Sequence, residues 1–124
     1  MYRQKATLKH AIGRDMSPAL IHALDNPVRR QILRMFTKRK PEWSPVDLAK
    51  AFRINLSHLS YHARALSELG VTVETRTEQV RGSKQHFYTS NVADNKLVRK
   101  ILAETKADDK EALDRVKDRR GEEA

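Results

Sequence analysis

The chain has 124 residues, enough for one compact domain with appendages; 39% are hydrophobic and 33% charged, so a small core under a heavily charged surface is expected. It contains no cysteine, which excludes disulfides, thiolate metal sites and cysteine nucleophiles together. No run of 18 apolar residues exists to cross a bilayer, and the opening MYRQKATLKHAIGRDM is basic but lacks the apolar segment of a secretory signal, so the expectation is a soluble, cytoplasmic protein with no membrane contact.

The formal net charge is +9, and it is unevenly placed. Residues 91–124 hold nine Lys/Arg and nine Asp/Glu and balance, whereas the other 90 residues hold 16 basic against 7 acidic and carry the whole surplus. A basic globular part with a neutral tail fits a polyanionic partner, although general basicity alone does not identify one.

Residues 1–15 form a basic N-terminal arm with Arg3, Lys5, Lys9 and Arg14. Three prolines then mark helix starts, because a missing N–H costs nothing at the first helical position. Ser17-Pro18, Asn26-Pro27 and Ser44-Pro45 each set a capping side chain before such a proline, which predicts helices over 18–24, 27–39 and 45–52. Met16 facing Ile21 and Trp43 facing Leu48 add hydrophobic staples. A fourth start has the same grammar without proline. Asn55 caps, Ile54 faces Leu59, and the helix runs from Leu56 to Leu69 with Gly70 at a left-handed C-terminal cap.

After Gly70 the period changes to two. Val71, Val73, Thr75 and Thr77 alternate with Thr72, Glu74, Arg76 and Glu78 as a strand; Arg81-Gly82-Ser83 is a turn; Lys84 to Thr89, with Phe87 and Tyr88, is the returning strand. A helix resumes at Asp94 with Leu97, Val98, Ile101 and Leu102 on one stripe. Beyond Ala107 nearly everything is charged, with only Leu113 and Val116 as anchors, and the segment reads as either a frayed helix or a disordered tail. The expected fold is mainly α with a small β-hairpin wing. A winged helix-turn-helix spans 16–91, a C-terminal dimerisation helix 92–106, and a charged tail 107–124.

Helix, tight turn, second helix and hairpin is the order that lays one helix in the DNA major groove with a β-wing beside it. On a helical wheel Leu59, Ala63, Leu66 and Leu69 share the face to be buried, and Ser57, Ser60, Tyr61, Arg64 and Glu68 lie opposite. Hydroxyls, an aromatic ring and an arginine suit base edges and phosphates, whereas an ordinary solvated face more often carries several Lys/Glu pairs. Ser57, Ser60, Tyr61 and Arg64 are therefore candidate groove contacts, with His58 at the flank. Arg76, Arg81 and Lys84, on or near the hairpin tip, are candidate wing contacts to phosphate or the minor groove, although solvated hairpin charges are common. In a further cluster of Arg29, Arg30, Arg34, Lys38, Arg39 and Lys40, some side chains should face phosphate, but Arg29 and Arg30 cannot point the same way.

The segments ALDNPVRRQILRMF, DLAKAFRINLSHLSYHARALSELGV and the FYTS strand together resemble the ArsR-type winged helix-turn-helix repressors over about residues 18–90. Asn26, Pro27 and Arg29 to Leu33 match that family's second helix; Ser57, Ser60, His62, Leu66, Gly70 and Val71 match its recognition helix and exit. The resemblance implies a homodimer on a near-palindromic operator, with the first and last helices at the dimer interface, where the stripe Leu97, Val98, Ile101 and Leu102 would fit. Packing of that stripe on its own subunit is the alternative. Two departures stand out. The family usually has glycine in the helix–helix turn where this chain has Arg53, and the metal-sensing cysteine and carboxylate/His sets are missing, so metal sensing does not carry over.

His58 and His62 stand four apart, a spacing that can hold zinc, but no third ligand is apparent; a structural or DNA-flanking role is favoured, and no metal or cofactor is expected. No glycine-rich phosphate loop, HExxH or Gly-x-Ser-x-Gly motif supports catalysis, so an enzyme is not expected. The leading expectation is a sequence-specific, dimeric transcriptional repressor on double-stranded DNA. The alternatives are a winged-helix adaptor that docks proteins through its charged tail and a non-specific architectural DNA-binding protein.

Overall fold

A computed structural model describes residues 17–117; the basic arm over 1–15, the staple of Met16 on Ile21, and residues 118–124 lie outside the described residues. The elements are α1 (Pro18–Ala23), α2 (Pro27–Met35), β1 (Glu42–Trp43), α3 (Pro45–Phe52), α4 (Leu56–Glu68), β2 (Thr72–Val80), β3 (Ser83–Ser90), α5 (Lys96–Glu104) and α6 (Lys106–Val116).

The first four helices begin where a short polar side chain takes up backbone N–H groups that have no partner inside the helix. Ser17 Oγ accepts from Leu20 N at 3.2 Å, Asn26 Oδ1 from Val28 N at 2.8 Å, Ser44 Oγ from Asp47 N at 3.1 Å, and Asn55 Oδ1 from Ser57 N at 2.8 Å. Helix α2 ends at Met35, four residues before the end expected from its pattern. The Trp43 indole N–H donates to the Met35 carbonyl at 2.9 Å, and Phe36 turns to extended backbone and enters the core. Thr37 and Lys40 then close a turn that returns the chain as β1, a strand with no legible pattern of its own.

The sheet order is β1-β3-β2, antiparallel throughout. The two-residue loop Arg81-Gly82 joins β2 to β3 with φ of 50° and 79°, the paired positive φ of a hairpin turn whose twist matches its strands. The register pairs Glu74 with Tyr88 and then Arg76 with Phe87, so Thr75 is an extra residue in a β-bulge. Its hydroxyl donates to Glu42 Oε2 at 2.6 Å and lies 3.2 Å from the Phe87 carbonyl.

The core lies between the helices and the base of the hairpin. Ile32 of α2, Leu59 and Leu66 of α4 and Val98 of α5 have at most 1% of their surface exposed, and burial of such a side chain contributes about 1.5–3 kcal/mol. The stripe on α5 packs on its own chain: Val98 is fully committed to the core, and Leu97, Ile101 and Leu102 are half-buried against it.

Residues 106–116 form a helix that packs on α2. Leu113 is buried, and so is Asp109, with 1% of its side chain exposed. Arg30 grips this carboxylate with two bonds of 2.6 and 2.8 Å, and Arg34 Nη2 lies 2.8 Å away while also donating to the Leu102 carbonyl and Thr105 Oγ1. Burial alone would push the Asp109 carboxyl up, but the hydrogen bonds from Arg30, Arg34 and Thr105 outweigh it and hold the group below the usual carboxylate range. A carboxyl depressed in the fold contributes stability that is complete above its unfolded pKa and is lost as pH falls through the lower folded value. Asp109→Asn is expected to cost about 3 kcal/mol at neutral pH, because two guanidiniums then face a neutral amide. It should also flatten the stability loss of the wild type below about pH 4. Urea unfolding at pH 7 and across the acid range measures both effects.

Candidate nucleic-acid interface

Helix α4 is placed by the turn that precedes it. Arg53 has φ 59° and ψ 42°, the left-handed conformation that glycine usually supplies, and Ile54 N donates back to Ala49 O at 3.2 Å while its side chain is buried. Arg53 thus adopts in this turn the left-handed backbone that glycine takes most readily. The helix then buries Leu59, Ala63 and Leu66 and leaves Ser57, Tyr61, Arg64 and Glu68 exposed, with His58 and Ser60 half-buried at the flanks. Tyr61, 66% exposed, is the most exposed large hydrophobic side chain among the described residues.

The wing lies beside this face. A groove of about 310 Å³ runs between α4 and β3, lined on one side by Ser60, Arg64 and Ser67 and on the other by Lys84, His86 and Tyr88. Three of the sequence candidates, Ser60, Arg64 and Lys84, are therefore brought to one concave strip. Tyr88 is an addition that the sequence pattern did not single out. Burial, reinforced by the Glu74 charge, pushes its phenol up despite the nearby Arg64, so it remains a hydrogen-bond donor at neutral pH. Its position was hidden because it depends on which face of β3 meets α4.

Arg76 is not brought to the groove. In an unbroken alternation Thr72, Glu74, Arg76 and Glu78 share one face; the bulge at Thr75 moves Arg76 and Glu78 to the other. There the Arg76 guanidinium sits 3.9 Å over the Phe87 ring, between Glu42 at 2.6 Å and Glu78 at 2.8 Å. Bonds to Glu78 and Glu42 raise its pKa, and bonds from Thr75 and Arg76 lower that of Glu42. On the groove face Glu74 instead meets the His86 ring. Arg81 is exposed at the tip of the hairpin.

The basic cluster on and after α2 divides, with Arg29 and Arg30 pointing different ways. Arg29, Arg30 and Arg34 do not face outward toward a phosphate: Arg29 is buried with 8% exposure, and Arg30 and Arg34 bind Asp109. Of the six, Lys38, Arg39 and Lys40 remain exposed on the turn after α2, with the Lys40 ammonium 3.8 Å above the Trp43 ring. His62 is buried and accepts from Arg29, and no group of three or more His, Cys, Asp or Glu able to hold a metal occurs among the described residues. No helix of the described residues is long and apolar enough to cross a membrane.

No curated protein matches the chain. Residues 24–76 match the family model of a helix-turn-helix domain, from the turn before α2 to the middle of β2. Over that span the chain is similar to a helix-turn-helix domain, and with the β2–β3 hairpin after α4, completed by β1 in an antiparallel sheet, the fold is a winged helix-turn-helix.

Proposed function

We propose that this chain is a transcriptional regulator of the ArsR type that reads double-stranded DNA in a sequence-specific manner. Helix α4 enters the major groove, and the wing lies on the adjacent backbone. The observation that carries this reading is the strip formed by Ser60 and Arg64 on α4 and Lys84 and Tyr88 on β3, which lines one groove with hydroxyls and two cations. A phosphodiester seated there would meet both cations, while Ser57, Tyr61 and His58 lie further around α4 toward base edges. Arg81 extends the wing contact. Arg76 reaches phosphate only by exchanging the carboxylates that now hold it.

The family likeness extends the reading to a homodimeric repressor on a near-palindromic site. Leu97, Ile101 and Leu102 keep part of their surface for a second copy, whereas Val98 does not. Sedimentation of the free protein checks this: a dimer is expected, and a monomer that occupies a single half-site would remove the symmetric reading.

Binding to DNA from the protein's own promoter region, titrated with salt against scrambled duplex, should give a specificity ratio of about 10³ or more at physiological salt. Weak binding to both duplexes that vanishes with salt would favour architectural binding, and no binding to either would favour an adaptor. Arg64→Ala is expected to cost about 1–3 kcal/mol on the preferred duplex and much less on the scrambled one. Lys84→Ala should weaken both alike and reduce the salt slope by about 1. Equal losses on both duplexes for Arg64→Ala would take that residue out of sequence reading.

A further inference from the structure

Arg29 and Arg30 are consecutive, so their side chains leave α2 about 100° apart. Arg30 turns to α6; Arg29 turns inward, and a buried arginine is rare unless its donors are used. Its Nη1 donates to the His22 carbonyl at 3.1 Å, next to the end of α1, and its Nε donates to His62 Nδ1 at 3.3 Å, in the middle of α4. One guanidinium therefore joins α1, α2 and α4. For Nδ1 to accept, the ring must be neutral with its proton on Nε2. Burial, then the charges of Arg29 and His58, lower the His62 pKa to about 4, so the ring is an acceptor throughout the neutral range.

The same ring supports the outer face of α4. Tyr61 stands edge-on to it, with centroids 5.1 Å apart and planes at 80°, and His58 lies 5.3 Å away. The apolar contacts of Leu59 and Leu66 hold α4 against the core, but apolar attraction has no direction, whereas a hydrogen bond does. A rotation of α4 by 20° would shift its side-chain tips by about 2 Å, more than a base-edge hydrogen bond tolerates.

We infer that Arg29, acting through His62, is a positioning residue that fixes the rotation of α4 and so holds Tyr61 and His58 where they read the DNA. The inference rests on the DNA-reading function proposed above. Two substitutions separate position from mere packing. In Arg29→Gln the amide nitrogen falls where Nε was and can still donate to His62; Arg29→Met keeps the stem without a donor. Both lose the bond to His22, so that effect is shared. His62→Phe removes the acceptor while keeping a ring, and serves if Arg29→Met does not fold.

The wild type is first used to select a preferred site from a randomised duplex library, and dissociation constants are then measured on that site and on a scrambled duplex below each variant's unfolding midpoint. Arg29→Gln should keep the ratio within about threefold of wild type, while Arg29→Met and His62→Phe should lose about tenfold or more on the preferred site with little change on the scrambled one. The inference is overturned if Arg29→Met and His62→Phe discriminate like the wild type, if Arg29→Gln falls as far as Arg29→Met, or if losses are equal on both duplexes. Failure of the wild type to enrich any site would instead refute the DNA-reading function itself, before any substitution is made.

Discussion

A carboxylate removed almost entirely from water stays charged only where cations and donors replace its hydration. Asp109 is in that position, and its requirement organises the packing of α2 and α6. Arg30 and Arg34, four residues apart on α2, lie one turn above the other and both reach it. Arg34 also takes the Leu102 carbonyl and Thr105 hydroxyl at the break between α5 and α6. The C-terminal helices are thereby joined to the helix against which α4 packs. A purely apolar contact would hold them together but would leave their register less closely defined.

That use of charge changes the meaning of the basic surplus. The +9 is a property of the composition, but the three arginines of α2 are spent on internal partners. Arg76 is likewise held between two glutamates. The cations near α4 and the wing that remain open to a polyanion include Arg64, Arg81 and Lys84. The field toward a polyanion is therefore more local than the net charge implies, and the pairings of Glu74 with His86 and of Arg76 with Glu42 and Glu78 temper it further.

The wing owes its shape to two backbone features. The Arg81-Gly82 loop sets the twist of the hairpin tip, and the bulge at Thr75 divides β2 into two segments with opposite faces toward α4. Below the bulge Glu74 faces inward beside Tyr88; above it Thr77 and Gln79 do, opposite His86 and Lys84. Lys84, His86 and Tyr88 on the unbroken β3 thus form the wall that meets α4, and the start of α3 at Ser44, Pro45 and Val46 completes the groove.

Much of this was legible in the chain, because the features concerned are local. Ser17, Asn26, Ser44 and Asn55 cap helices through bonds that span two or three residues, and the apolar period of 56–69 is a property of one helix. That Arg53 stands where a glycine is usual came from the family resemblance, and its left-handed backbone is the local conformation that position asks for. The features that escaped are those whose energy comes from distant partners. The early end of α2 depends on Trp43 taking the Met35 carbonyl, and the inward turn of its arginines depends on Asp109 and His62, which lie 79 and 33 residues away. The helix over 106–116 has too few apolar residues to stand alone, and becomes a packed element only when a buried carboxylate finds two guanidiniums. The bulge that turns Arg76 away from the groove follows from the pairing of two strands, and no alternation within one strand records it.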